Sequence, residues 1–259
     1  MWKEELETAQ YAAVEAGKAI MEFYKNVDVS VEYKDDHSPL TAADKAANQR
    51  IVKILKNRFP SYAILSEEEK DDKSRLDKEC CFIVDPLDGT KEFLKRNGQF
   101  TVNIALAYRQ ESVMGVIYVP VAETLYYAVK GFGSFVKSRE GVTKRLSTSR
   151  NTEISSLRVV MSSSHGCAQM DEMIEKYRFT NLIKVGSSLK GCMIAEGKAD
   201  VYYRFNPTME WDTAAMQCIT EEAGAIFRQM DGSLMTYNRE NCVNKKGFYI
   251  INHEKNLFI

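Results

Sequence analysis

Apolar residues recur at helical spacing in two segments near the N-terminus. From Glu5 to Tyr24, alanine, leucine, isoleucine and phenylalanine return every three or four residues, which predicts an amphipathic helix. A second stripe from Thr41 to Phe59 predicts another helix, and Pro60 ends it. Thr41 is a suitable N-cap for this helix, and Asp44 falls in its first turn.

Short apolar runs beyond residue 60 are typical of strands. Two of them, Tyr62–Leu65 and Cys81–Val84, are followed at once by acids. Three further runs come in succession, which predicts an antiparallel meander closed by a glycine turn at residues 131–133. These three runs are Thr101–Tyr108, Ser112–Val119 and Thr124–Val129.

The second half of the chain alternates strand-like and helix-like runs. The predicted strands are Arg158–Ser162, Leu182–Val185, Asp200–Tyr203 and Gly247–Ile251, and the predicted helices are Ser188–Glu196 and Glu210–Glu222. This order of elements favours layered α and β structure over a doubly wound βαβ sheet.

The composition changes this picture little. With 259 residues, of which 44% are hydrophobic and 27% charged, the chain is typical of a globular protein with a full core. The formal net charge of −1 gives no global field that would attract nucleic acid or an anionic membrane. No apolar run reaches the roughly 18 residues of a transmembrane segment. We therefore expect a cytoplasmic protein with reduced cysteines, and leave open a peripheral position at the inner membrane.

The strongest chemical signal is the segment Asp85-Pro86-Leu87-Asp88-Gly89-Thr90. It offers two carboxylates and a backbone carbonyl where a predicted strand ends and a helix begins. Hard divalent cations such as Mg²⁺ prefer oxygen ligands of this kind. The exposed N–H groups of a helix start can bind a phosphate. A metal and a phosphate at one turn suggest phosphoryl chemistry.

Three more segments place acids at the ends of predicted elements. Glu67, with Glu68 beside it, follows a strand, while Asp44 and Asp212 fall in the first turns of helices. Each acid alone is weak evidence, because first-turn acids commonly complement the helix dipole. Strand ends of α/β proteins meet at one crevice, which favours convergence of these acids with Asp85.

Four motifs in order resemble the inositol monophosphatase family of metal-dependent, lithium-sensitive phosphatases. They are Ser-Pro-Leu-Thr-Ala-Ala-Asp at 38–44, Ile-Leu-Ser-Glu-Glu at 64–68, Asp-Pro-Leu-Asp-Gly-Thr at 85–90 and Trp-Asp-Thr-Ala-Ala at 211–215. The likeness covers nearly the whole chain. It implies an α+β layered sandwich (αβαβα), the fold shared with fructose-1,6-bisphosphatase. It also implies one domain of two packed lobes, a metal-binding α+β lobe at 1–137 and a smaller α/β lobe at 138–259 that completes the site.

Three other segments resemble one branch of that family, the bacterial CysQ-type 3′(2′),5′-bisphosphate nucleotidases. They lie at residues 91–103, 186–190 and 195–200. The resemblance implies hydrolysis of the 3′-phosphate of adenosine 3′,5′-bisphosphate to AMP and phosphate, with the sulfated form of the nucleotide as a second substrate. Residues 138–181 resemble the branch least.

The family resemblance also implies a set of metal ligands. Glu67, Asp85 and the Leu87 carbonyl would hold one Mg²⁺, and Asp85, Asp88 and Asp212 a second, with Asp85 as the bridge. A third ion could share Glu67. Li⁺ and Ca²⁺ are expected to inhibit.

The implied catalytic groups are Asp44, Glu67 and Thr90, which would orient the attacking water, with Glu68 as an alternative to Glu67. The implied substrate-binding residues are Leu87, Asp88, Gly89, Thr90, Lys190 and Asp212. The amides of Gly89 and Thr90 would hold phosphate oxygens, and Gly89 would leave room for the phosphate. The candidates for binding the second phosphate are Lys190, Lys91, Lys95 and Arg204, and Lys34 is a candidate for the water network.

Two alternatives remain open at this point. An inositol monophosphatase or sugar phosphatase would use the same metal chemistry on another substrate. A non-catalytic nucleotide or metal sensor would keep the fold and bind without turnover. The expected partner is a small phosphorylated nucleotide and not nucleic acid, and the oligomeric state is expected to be a monomer or a homodimer.

Overall fold

The protein is described by a computed structural model that covers residues 2–25, 31–33, 39–163 and 166–259. Residues 31–33 and 39–41 are described by their backbone. The predictions that concern Lys34 and Ser38 lie outside the described residues.

The helices confirm the periodicity of the sequence and add one that it did not predict. Within the described ranges they are α1 (Lys3–Tyr24), α2 (Ala42–Arg58), α3 (Thr90–Leu94), α4 (Ala168–Tyr177), α5 (Leu189–Ala195) and α6 (Glu210–Glu222). Helix α1 begins two residues earlier than predicted, and α4 was not predicted. Thr41 directly precedes α2, at the end of a short strand, so its role as N-cap stays a prediction.

The strands in the first part of the described chain are β1 (Val31–Tyr33), β2 (Pro39–Thr41), β3 (Ala63–Ser66), β4 (Cys80–Asp88), β5 (Thr101–Tyr108), β6 (Glu111–Val119), β7 (Thr124–Val129), β8 (Gly133–Lys137) and β9 (Thr143–Arg145). Those further along are β10 (Arg158–Ser162), β11 (Asn181–Val185), β12 (Val201–Arg204), β13 (Thr208–Met209), β14 (Ile226–Gln229), β15 (Val243–Asn244) and β16 (Phe248–Ile251).

The larger sheet has seven strands in the order β3-β4-β5-β6-β7-β8-β9. Strands β3 and β4 are parallel, and every other neighbouring pair is antiparallel. The meander prediction is confirmed and a turn is present at residues 131–133, but the prediction that this turn closes the meander is wrong. That turn connects β7 to β8, so the meander continues for two more strands.

The smaller sheet has five strands in the order β11-β10-β12-β16-β14. Strand β10 lies parallel to both of its neighbours, whereas β16 is antiparallel to β12 and β14. Strand β9 belongs to the larger sheet, so the change from one sheet to the other falls between residues 145 and 158. The division into lobes at residue 137 stays a prediction.

The layers stack in the order αβαβα. Helices α1 and α2 cover one face of the seven-stranded sheet, where Phe82 and Val84 of β4 point. The alternate residues, Cys81 and Ile83, face a second core that contains α5, α6 and the inner face of the five-stranded sheet. Helix α4 covers the outer face of that sheet. The predicted layered fold is confirmed.

Helix α6 lies very close to the larger sheet, which fixes the position of its first turn. A Cβ at Gly115 of β6 would come within 2.4 Å of the Ala215 carbonyl oxygen, so only glycine permits this approach. Ser112 of the same strand donates a hydrogen bond of 2.7 Å to the Ala214 carbonyl. The beginning of α6 is thereby held against β5 and β6.

Two further expectations concern the cysteines and the membrane. All six cysteines are free thiols. Among the described residues, no helix is both long enough and apolar enough to cross a bilayer.

Candidate active site

A bulge in β4 brings two acids of the signature segment to the same side of the sheet. Asp85 pairs with Asn103 of β5, but Asp88 pairs with Thr101, so three steps along β4 match two along β5. In a regular strand, residues three apart point to opposite faces, and one extra residue reverses that relation. The sequence analysis ended the strand at Val84. That prediction is wrong, because the strand continues through the bulge to Asp88.

Asp212 joins these two acids from the first turn of α6. Carboxylate oxygens of Asp85, Asp88 and Asp212 lie within 4.8 Å of one another. Asp212 also accepts a 2.6 Å hydrogen bond from the Met209 amide, which fixes its side chain at the start of the helix. The predicted convergence of the signature segment with the distant Asp212 is therefore present in the fold.

Burial and mutual repulsion make this cluster electrostatically unfavourable without a cation. Burial raises the pKa of Asp85 well above its usual range, and the charges of Glu67, Asp88, Asp212 and Asp44 raise it further. Burial, together with the Asp88 carboxylate, raises the pKa of Asp212 to about 7. Among the described residues, no lysine or arginine forms an ion pair within 4 Å of Asp85, Asp88 or Asp212.

Glu67 and Asp44 approach the cluster from two other elements. The Glu67 amide donates a 3.1 Å hydrogen bond to the Val84 carbonyl, which holds the end of β3 beside Asp85. Asp44 is buried in the first turn of α2. Both acids contribute to the raised pKa of Asp85, so both lie within electrostatic range of it. The three-acid cluster itself contains neither of them.

Buried polar side chains that the sequence analysis did not single out hold these acids in place. The Ser66 hydroxyl donates a 2.7 Å hydrogen bond to Asn48 Oδ1, which links the residue before Glu67 to α2. Asp88 Oδ2 accepts hydrogen bonds from Ser188 at 2.7 Å and from Asn103 Nδ2 at 3.3 Å. A sequence signal existed for Asn103 and Ser188, since both lie in the segments that resemble the nucleotidase branch.

Gly89 and Thr90 follow the cluster at the beginning of α3. Gly89 has a φ of +98°, and a Cβ there would lie 3.1 Å from the Gln99 carbonyl oxygen and 3.3 Å from Ser187 Cβ. The backbone conformation therefore favours glycine for reasons beyond room for a phosphate. Helix α3 has only five residues, so any anion binding here would depend on individual amides more than on a helix dipole.

A cavity of about 270 Å³ opens beside the acids. Its lining includes Asp88, Gly89, Thr90 and Asp212 on one side, and Lys91, Lys190 and Arg204 among its basic residues. Lys95 is exposed and lies outside this lining, so the structure does not bring that candidate to the site.

Lys190 and Arg204 supply positive charge to the cavity wall in addition to Lys91. Lys190 is only 6% exposed, and its ammonium group donates a hydrogen bond to the Ser187 carbonyl and lies 5.5 Å from the centre of the Tyr202 ring. Burial lowers the pKa of Lys190 to about 8, so the group is mainly protonated at neutral pH. Within the described part of the chain, the buried Nε of Arg204 has no hydrogen-bond partner.

The donor set of the cluster fits a hard divalent cation. These three carboxylates form no direct ion pair with a lysine or arginine of the described ranges. They supply only oxygen ligands, which is the set that Mg²⁺ prefers. A bound cation would offset the repulsion that raises the pKa of Asp85 and Asp212. Leu87 has a buried side chain in the helix-facing core, and the role of its carbonyl stays a prediction.

The five-layer fold and a carboxylate cluster beside a cavity with lysine and arginine side chains in its wall have the arrangement of a metal-dependent phosphatase. The chain belongs to the inositol monophosphatase family, whose model matches residues 1–257. The family predicted from the four sequence motifs is thus confirmed.

Two similar proteins carry the name of the nucleotidase branch that the sequence analysis predicted. The 3′(2′),5′-bisphosphate nucleotidase CysQ of Salmonella typhimurium is 40% identical over 248 residues, which cover 95% of this chain and 98% of that protein. The protein of the same name from Escherichia coli K12 is 39% identical over 237 residues, which cover 91% and 94%.

Solved structures with a similar fold include another CysQ protein and a suhB protein. The crystal structure of CysQ from Bacteroides thetaiotaomicron matches with a TM-score of 0.84 and 42% identity over 98% of this chain and 99% of that one. The extragenic suppressor protein suhB of Bartonella henselae matches with a TM-score of 0.83 and 25% identity over 97% and 95%.

Proposed function

We propose that the chain is a Mg²⁺-dependent phosphatase that hydrolyses the 3′-phosphate of adenosine 3′,5′-bisphosphate to AMP and phosphate. The observation that carries the proposal is the carboxylate cluster of Asp85, Asp88 and Asp212, which opens into a cavity lined by Lys190 and Arg204. Such a cavity offers a cation site for the reacting phosphate and basic groups for a second one. The names of the similar nucleotidases support a 3′(2′),5′-bisphosphate nucleotide as the substrate class, and the sulfated nucleotide is a second candidate substrate.

Two or three Mg²⁺ ions would be held by the acids. Glu67, Asp85 and the Leu87 carbonyl would form one ligand set, and Asp85, Asp88 and Asp212 another, with Glu67 available to a third ion. When bound, the ions supply Lewis-acid stabilisation of phosphoryl oxygens and lower the pKa of a coordinated water. Li⁺ and Ca²⁺ would inhibit at these positions.

The surrounding residues would orient the reactants. Glu67 and Thr90, with Asp44 behind them, would accept hydrogen bonds from the attacking water and align it with the phosphorus atom. The amides of Gly89 and Thr90 would donate to phosphate oxygens as negative charge develops on them. The position of Gly89 and Thr90 in the cavity wall, next to Asp88, supports this assignment.

Arg204 and Lys190 would bind the 5′-phosphate, with Lys91 at the edge of the cavity. The Arg204 guanidinium has a buried N–H directed to no acceptor among the described residues, so a phosphate could supply the missing partner. Lys190 already donates to the Ser187 carbonyl and retains further N–H donors for a ligand. A fixed pair of basic groups would select bisphosphates over monophosphates.

We place the enzyme in the cytoplasm, which the six free thiols support. The peripheral position at the inner membrane, which the sequence analysis left open, has no support in the structure, and the choice between monomer and homodimer stays open. Nucleic acid is not expected as a partner, since the formal net charge is only −1.

The decisive experiment compares phosphate release from adenosine 3′,5′-bisphosphate and myo-inositol 1-phosphate in the presence of Mg²⁺. We expect a much larger kcat/KM for the nucleotide and loss of release when a chelator is added. Faster hydrolysis of the inositol ester would contradict the substrate assignment. Binding of the nucleotide without any phosphate release would instead indicate a sensor.

A further inference from the structure

We propose that Ser188 is a positioning residue for Asp88, and that its hydroxyl couples the substrate-binding wall of the cavity to the metal-binding acids. The proposal rests on the proposed function for the identity of the ligands. It concerns a contact between two parts of the chain that are 100 residues apart.

A directional chain of hydrogen bonds ends at Asp88. The Thr101 hydroxyl donates to Asn103 Oδ1 at 2.9 Å, and Asn103 Nδ2 donates to the Ser188 hydroxyl at 2.9 Å. The Ser188 hydroxyl in turn donates to Asp88 Oδ2 at 2.7 Å, which is the shortest of these three hydrogen bonds. A hydroxyl has a single proton, so a Ser188 that accepts from Asn103 must donate that proton to Asp88.

Burial of the donor side chains makes this series of hydrogen bonds rigid. Ser188 and Asn103 are each 1% exposed and Thr101 is fully buried, so water does not compete for their hydrogen bonds. Asp88 itself is only partly buried and borders the cavity. The buried donors thus hold an acid that would otherwise be free to rotate at the cavity surface.

The donors fix which oxygen of Asp88 is available to a cation. Asp88 Oδ2 accepts from Ser188 and Asn103, and at 3.4 Å lies near the Thr101 hydroxyl. A cation would therefore be held through Oδ1. Partners of this kind, which orient a ligating carboxylate, typically contribute about 10-fold to 100-fold to metal affinity.

The same serine belongs to the wall that would bind substrate. Ser188 directly follows Gly186 and Ser187 and precedes Lys190, all of which line the cavity. A phosphate bound against this segment would hold Ser188 in place and hence Asp88. By reciprocity, a cation held by Asp88 would strengthen the binding of an anion against the segment.

The test is titration of the full chain with Mg²⁺ by calorimetry, in the absence of substrate. Ser188→Ala should weaken Mg²⁺ binding by about 10-fold to 100-fold. The matched control is Ser149→Ala, because the Ser149 hydroxyl donates to the buried Asp200 and belongs neither to the cavity lining nor to the acid cluster. This control should leave Mg²⁺ affinity unchanged.

Two further variants distinguish a positioning role of the Ser188 hydroxyl from a role of its side chain in packing. Ser188→Cys keeps the shape but is a weak donor, so it should lose most of the affinity that Ser188→Ala loses. In an Asp88→Asn background, Ser188→Ala should have little additional effect, because both changes act on the same carboxylate. Full Mg²⁺ affinity in either Ser188 variant, or additive effects with Asp88→Asn, would overturn the proposal.

The outcome is separable from that of the proposed function. A wild-type protein that binds Mg²⁺ but does not hydrolyse the nucleotide would contradict the proposed function, and a weakened Ser188→Ala would still support the positioning role. A wild-type protein that hydrolyses the nucleotide, with Mg²⁺ affinity unaltered by Ser188→Ala, would contradict only the positioning role.

Discussion

Replacement of Asp212 by asparagine should stabilise the metal-free protein at pH 8. Asparagine keeps the carbonyl oxygen that can accept from the Met209 amide, so the helix start loses little. It replaces one of three carboxylates that lie within 4.8 Å of one another with a neutral amide. The gain in stability comes from relief of this repulsion and of the cost of burying the charge.

The pKa of Asp212 gives the size and sign of the effect. Its value of about 7 in the fold, against an ordinary 3.8, means that the folded state binds the proton more tightly than the unfolded state. The contribution of Asp212 to the stability of the wild type therefore falls as pH rises between these two values, and its loss is complete above about pH 7. At 1.36 kcal/mol per pKa unit the full difference is about 4 kcal/mol, an upper limit because Asp212 is partly exposed.

The assay is urea unfolding with a chelator present, at pH 5 and pH 8. Asp212→Asn should exceed the wild type by about 1–4 kcal/mol in unfolding free energy at pH 8 and by less at pH 5. The matched control is Asp171→Asn, which changes an exposed acid in the first turn of α4 and should alter stability by under about 1 kcal/mol. With Mg²⁺ in excess the order should reverse, because the cation stabilises only a fold that binds it.

This reasoning fails if the metal-free wild type is as stable at pH 8 as at pH 5 and Asp212→Asn does not exceed it. Such a result would mean that the three carboxylates are not forced together in the absence of cations. An equal gain from Asp171→Asn would show that the effect is general to the charge of the chain and not specific to the cluster.

Three further predictions concern turnover. Asp85→Asn should lower kcat by at least about 100-fold, since cation stabilisation supplies several kcal/mol. The circular dichroism spectrum should be kept, and the unfolding midpoint in chelator should not fall, because the change relieves repulsion among buried acids. Near wild-type turnover would contradict the metal assignment. Li⁺ should slow phosphate release at fixed Mg²⁺, and an unchanged rate would argue against the proposed inhibition. Arg204→Gln should reduce kcat/KM for adenosine 3′,5′-bisphosphate by about 10-fold to 100-fold, because a charge-assisted hydrogen bond contributes about 1.5–3 kcal/mol. It should hardly change kcat/KM for adenosine 3′-monophosphate, because that nucleotide has no 5′-phosphate. Equal losses for both nucleotides would exclude a 5′-phosphate role.

Local patterns along the chain were sufficient to predict most elements of the fold. The apolar stripes of α1 and α2 and the meander from Thr101 to Val129 were found because each depends on residues close in sequence. The end of β4 was misplaced because Pro86 and the acids around it read as a turn, whereas pairing with β5 carries the strand through a bulge. Such pairing depends on a partner strand and leaves no local signature.

The acids of the candidate site could be predicted from motifs, but their supporting contacts could not. Asp88 and Asp212 were named from the sequence, and the fold brings them together. The hydrogen bond from Ser188 to Asp88 joins positions 100 residues apart, so no spacing along the chain indicates it. Lys95 was chosen by its charge and position near the signature segment, but it does not line the cavity.

The most direct test of the central claim is a crystal of the protein soaked with Mn²⁺ and AMP, with an anomalous difference map. We predict at least one peak bound by carboxylates of Asp85, Asp88 and Asp212, with a nucleotide phosphate in the adjoining cavity. A map with AMP bound but no peak among these three acids, at a Mn²⁺ concentration that saturates activity, would contradict the account.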